Sequence, residues 1–215
     1  MSLYAKENEM YLLRFLGIGM DCLSSMILLT PAILLILKLS GRKLISFHTV
    51  LLLLYACVLV GIYSVTGLPD ARYCEFDFSC NAIPMVDLLS SPSQYALNVL
   101  MFLPVGFLLP LLWDEYQGWK QVLGFCFLLT VFIEAAQVFT FRTTDIDDLL
   151  TNLLGAGIGY ALIRLPAKKW RWRLPVGISN DYEEKYDQWS YLVLILFQQF
   201  FIQPWWSPFF WDTLL

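Results

Sequence analysis

Charge is what this sequence has least of. Asp, Glu, Lys and Arg make up 15% of its 215 residues, against 58% hydrophobic residues. A soluble domain of that length has no interior able to take so much apolar surface, so the composition implies an integral membrane protein. Basic residues do not outnumber acidic ones, and the formal charge of −4 excludes a nucleic-acid-binding face. Histidine is almost missing. His48 stands alone at the start of an apolar run, without partner ligands nearby for a metal, and it is expected at the membrane face opposite the polar cluster described below, so no serine–histidine or cysteine–histidine arrangement is expected. No cleavable leader is expected, because Lys6, Glu7, Glu9 and Arg14 come before any long apolar stretch. There is no internal repeat.

What is present is a set of long apolar runs, which predicts an all-α, polytopic bundle of about five membrane helices. The spans are expected within Leu16–Leu39, over Val50–Thr66 extended to about Phe47, over Pro92–Trp113, over Gln121–Thr140 and over Asp147–Leu165. Ser91, Pro92 and Gln94 mark a capped start for the third of these. Residues 1–173 therefore form the membrane bundle, and 174–215 an acidic linker with an aromatic-rich tail. That tail is expected to be interfacial or re-entrant, with a sixth span reaching Trp211 as the alternative. With the N-terminus outside, the cytoplasmic ends collect Lys38, Arg42, Lys43, Lys120, Arg164, Lys168, Lys169, Arg171 and Arg173. The outer ends keep Lys6, Arg14, Arg72 and Arg142, so the positive-inside rule puts loop 67–93 outside and 166–173 in the cytoplasm.

The remaining polar residues gather around Thr130–Gly159. An apolar helix carries Glu134 and Gln137, a polar turn carries Arg142, Asp145, Asp147 and Asp148, and the next helix carries Asn152. At about 1.5 Å per residue, Glu134 sits roughly 12 Å below Arg142, and Asn152 about 6 Å below Asp148. Asn98 falls at similar depth on the third span. Ionisable groups are costly in a bilayer, so this layer marks either a site or a clamp. Arg142 with Asp145, Asp147 or Asp148 reads equally as an interfacial ion pair fixing the hairpin, and Asp145 as a helix N-cap. Glu134 has no adjacent basic residue, so Arg142 folding inward is its simplest partner. Gly155 and Gly159 form a G-x-x-x-G pair that reads as a helix-packing stripe, not a phosphate cradle.

Cys74 and Cys80 lie in the long loop, where a disulfide and two free thiols are both open; Cys22, Cys57 and Cys126 sit in apolar runs as small core residues.

The series Asn98-x3-Phe102-x-Pro104-x-Gly106, then Glu134-x2-Gln137-x4-Arg142-x2-Asp145-x2-Asp148-x3-Asn152-x2-Gly155, resembles the VanZ-like membrane protein family. The resemblance covers residues 86–165, and Asp87 fits the family's acidic position ahead of the third span. It implies a multi-span bacterial membrane protein and a link to resistance against the glycopeptide teicoplanin, with no chemistry made obvious. Expected ligand-binding residues are Asn98, Glu134, Gln137, Arg142, Asp145, Asp148 and Asn152. Expected partners are membrane lipids and a lipid-linked wall precursor or lipoglycopeptide. No cofactor is expected. Two alternatives stand beside this binding role. One is a lipid-modifying envelope enzyme using Glu134 as acid or base, with a cation held by Asp145, Asp147 and Asp148. The other is a transporter in which Glu134 carries a coupled proton.

Overall fold

The structure, a computed structural model, describes residues 3–76, 80–81, 92–140, 144–169 and 187–214. Five helices in it are long and apolar enough to cross a membrane. They lie in α1 (Leu3–Leu39), α2 (Phe47–Thr66), α3 (Pro92–Leu112), α4 (Trp119–Gln137) and α5 (Ile146–Lys169). Helix α1 begins well before the apolar run that defines its span, Phe15–Leu39. At the other end of the bundle α5 passes through Pro166 to Lys169. The basic segment was expected to end the helix at that proline. Proline in a last turn forfeits only one backbone bond, so the helix tolerates it there.

Local signals explain several boundaries. The Ser46 side chain accepts a hydrogen bond from the Thr49 N–H at 3.1 Å, which caps the start of α2. Gly67 ends the same helix in the left-handed region at φ 61°, donating its N–H to the Tyr63 carbonyl. A single 3-10 turn, Asp114–Gln117, reverses the chain between α3 and α4. Two-residue strands β1 (Cys80–Asn81) and β2 (Thr144–Asp145) pair in parallel near the start of α5. Ser91, expected to cap α3, lies outside the described residues, although α3 does begin at Pro92.

The tightest helix pair is α3 with α5. A Cβ on Gly155 would lie 2.2 Å from the Val99 carbonyl oxygen, and one on Gly159 2.0 Å from that of Leu103. Gly106 answers from α3, where a Cβ would lie 2.0 Å from the Ala156 carbonyl oxygen. These backbones touch because nothing stands between them, as the glycine spacing predicts. Around this contact Phe102, Val105, Leu109, Ile133 and Ala156 form a buried core.

The tail is one helical run: α6 (Asp187–Phe197), a π turn (Gln198–Ile202) and α7 (Gln203–Leu214). Its first turn meets the α3–α4 connection, where the Gln188 side-chain amide donates to Glu115 at 3.2 Å. Its π turn meets the loop after α2, where the Ala71 N–H donates to the Phe200 carbonyl at 3.0 Å. Those contacts lie at opposite ends of the bundle. The tail thus touches both ends of the bundle, while the helices long and apolar enough to cross a membrane are, among the described residues, the five named above. A polar ladder fastens it to α1: Gln199 donates to Ser25 Oγ and Gln203 to Ser24 Oγ, both at 2.8 Å. All four of these side chains are buried. Paired amides and hydroxyls of this kind hold helices together where no water competes.

Candidate functional site

The site forms where α4 ends and α5 begins. Asp145 is the N-cap of α5: its Oδ1 accepts the Asp147 N–H at 3.0 Å. The N–H of Asp145 in turn donates to Oε2 of Glu134 at 3.1 Å. Glu134 is thus tied to the start of the next helix, and its side chain is only 8% exposed. The β1–β2 pairing and a Glu75–Thr140 bridge bring the loop after α2 alongside this end. Phe76 and Phe139 meet edge to face there, 5.7 Å between centroids.

Helix α3 supplies the opposite wall. The Asn98 side-chain amide donates to Asp148 Oδ1 at 2.6 Å, and the Tyr95 hydroxyl donates to Asp147 Oδ2 at 2.5 Å. Both bonds join the starts of α3 and α5, on the entry side of the glycine contact. Asn98 and Asp147 are buried. The depth arithmetic from the sequence therefore brought Asn98 to within one turn of its partner. It did not find Tyr95, three residues earlier on the same face of α3.

At the same end of the bundle, the Gln137 amide nitrogen donates to the Thr66 carbonyl at 3.1 Å, linking the ends of α4 and α2. That bond fixes which way the Gln137 amide faces. Its oxygen is buried and accepts no hydrogen bond from the described residues, and the same holds for Asn152 Oδ1 and Thr130 Oγ1. Thr130, Glu134 and Gln137 share a stripe of α4 at spacings of four and three residues, and all three are buried. A buried acceptor left without a donor costs about 1–3 kcal/mol. Gln137 Oε1 and Asn152 Oδ1 can take a donor, and the Thr130 hydroxyl can donate or accept, so α4 and α5 carry unused hydrogen-bonding capacity on either side of Glu134.

Each of the three aspartates has a hydrogen-bond partner in the described residues. Asp145 turns into its own helix, Asp147 to Tyr95 and Asp148 to Asn98. No group of three or more His, Cys, Asp or Glu side chains able to hold a metal occurs among the described residues. Arg142 and Asp87 lie outside the described residues. Cys74 carries an exposed free thiol, while the side chain of Cys80 is also outside them.

Residues 7–167 match the sequence profile of a family described as VanZ/LLP1. No curated protein and no solved structure matches the chain significantly.

Proposed function

The chain belongs to the VanZ/LLP1 family, and from that premise we propose that this envelope membrane protein binds a lipid-tailed glycopeptide or a lipid-linked wall component, contributing to teicoplanin-type resistance. The ligand enters at the end of the bundle that carries Glu134, on the outer leaflet. The N-terminus and loop 67–93 then lie outside and the basic segment 166–173 lies in the cytoplasm, the orientation favoured by the distribution of Lys and Arg.

One observation carries this reading. Gln137 Oε1, Asn152 Oδ1 and Thr130 Oγ1 are buried on α4 and α5, the helices joined at Glu134, without a hydrogen-bond partner among the described residues. Hydroxyl and amide groups, in which sugars and peptides are rich, supply such partners. Asn98, Asp145 and Asp148 frame the entrance, and Arg142 meets an anionic group through a charge-assisted bond. Apolar helix surface below them suits the tail.

Substitution at both charged positions tests the proposal. Glu134→Gln and Arg142→Ala are each expected to abolish resistance in cells with membrane abundance preserved. Arg142→Lys is expected to fail as well, because lysine keeps the charge and loses the two-pronged geometry. Wild-type resistance in a normally expressed Glu134→Gln protein would refute the proposal.

A further inference from the structure

Two cysteines of the membrane bundle meet across the seam between α1 and α2. Cys22 lies on α1 and Cys57 on α2, and their thiols are in hydrogen-bonding contact. A glycine lets them approach. Gly61 stands one turn on from Cys57, on the same face of α2, and a Cβ built there would meet Cys22 Sγ at 4.0 Å. The Cys22 sulfur therefore packs directly on α2, at the step from Cys57 to Gly61. Both thiols are free and half-buried, whereas Cys126 is wholly enclosed. Leu23 and Leu54 beside them are 61% and 50% exposed, so the pair borders a flank of the bundle that faces lipid.

Depth limits what can react with the pair. At about 1.5 Å per residue, Cys22 lies about 10 Å from the Phe15 end of its span and Cys57 about 14 Å from the Thr66 end of its own. Both are in hydrocarbon, which a charged oxidant such as glutathione disulfide does not enter. A disulfide needs its sulfurs about 2 Å apart. Rotation about the two Cα–Cβ bonds closes the gap that remains from hydrogen-bonding contact. We infer that Cys22 and Cys57 are a redox-active dithiol, oxidised within the membrane by a lipid-soluble quinone to a disulfide that staples α1 to α2. Two S–H bonds break and one S–S bond forms, and the two electrons and two protons released reduce the quinone to its quinol. The staple reaches the tail as well, because Ser24 and Ser25, next to Cys22 on α1, receive Gln203 and Gln199. This chemistry is independent of the ligand proposed for the Glu134 end.

The full chain, carrying Cys74→Ala and Cys80→Ala to silence the loop, is reduced and reconstituted in nanodiscs without oxygen. One sample receives decylubiquinone and another glutathione disulfide. Each is then denatured, alkylated and digested, and its peptides are identified by mass spectrometry. With quinone, a Cys22–Cys57 disulfide is expected to replace the two alkylated thiols, while Cys126 stays alkylated. About one quinol is expected per chain, since the couple carries two electrons. Glutathione disulfide is expected to oxidise the pair several-fold more slowly. Cys22→Ser and Cys57→Ser are each expected to give neither cross-link nor quinol. Two alkylated thiols at positions 22 and 57 after quinone treatment overturn the inference. Equal rates with glutathione disulfide, or an unchanged quinol yield from Cys57→Ser, overturn it too.

Discussion

The N–H of Asp145 donates to Oε2 of Glu134 at 3.1 Å, so a half-turn of backbone at the head of α5 is held by a carboxylate from α4. The bond separates what Glu134 does for the fold from what its charge does. A glutamine keeps an oxygen for that N–H; a leucine does not.

Glu134→Gln is therefore expected to unfold within about 1 kcal/mol of wild type, and Glu134→Leu to lose about 1–3 kcal/mol through the stranded donor. Asp145→Ala is expected to cost about 1 kcal/mol as a lost N-cap, and Asp145→Asn much less. Thermal unfolding of detergent-solubilised protein measures all four. A Glu134→Gln protein as unstable as Glu134→Leu would show that the negative charge itself holds the fold.

The glycines of α5 give a second expectation with its own control. At Gly155 a methyl group meets the Val99 carbonyl oxygen at 2.2 Å, and this is backbone that cannot swing aside. At Gly157 it meets only Leu123 Cδ2, at 4.0 Å. Gly155→Ala is expected to destabilise by about 1–3 kcal/mol as the helices are pushed apart. Gly157→Ala is expected to be neutral, or to stabilise by up to about 1 kcal/mol through helix propensity. Thermal denaturation of the two side by side decides the matter, and equal losses would contradict the contact.

Much of this was legible beforehand, for identifiable reasons. Hydropathy marks Phe47–Thr66 almost to the residue, because a span has to be both long and apolar. The spacing of Gly155 and Gly159 announces a close helix contact, and the position of Asp145 announces a cap. Counting turns puts Asn98 level with Asn152, and the structure bonds it one turn higher, to Asp148. Counting turns says nothing about rotation between helices, so the Tyr95–Asp147 bond stayed hidden. The tail was harder still. Gln198, Gln199 and Gln203 read as interruptions of an apolar run, and only tertiary packing reveals that Ser24 and Ser25 on α1 receive two of them. The two-residue strands are too short to carry any periodic signal.

Cys74 and Cys80 are expected to form a disulfide once loop 67–93 reaches an oxidising exterior. Closing so short a loop stabilises by on the order of 2–3 kcal/mol, mainly through the unfolded chain. Intact-protein mass after alkylation, with and without reduction, is the measurement. Two alkylated thiols at these positions in unreduced, folded protein would end the expectation.

Orientation is open to labelling in whole cells. Asn81→Cys in a Cys74→Ala, Cys80→Ala background is expected to react with an impermeant thiol reagent. Lys168→Cys is expected to react only after the membrane is opened. The reverse pattern would invert the bundle and move the Glu134 layer to the inner leaflet. A cysteine in place of Thr213 extends the same experiment to the tail. If α6 and α7 cross together, it labels from the outside along with Asn81→Cys.

The direct backbone contact between α3 and α5 bears on how this protein can move. Sliding motions need an interlayer of side chains whose rotamers absorb the displacement, and here Gly106, Gly155 and Gly159 have removed it. The two helices must therefore travel as a single strut, carrying Asn98, Asp148 and Asn152 in fixed relation. Any gate that admits a ligand has to open against that strut, at the seams with α4 or α2, where whole side chains intervene and Glu134 and Gln137 hang from the moving wall.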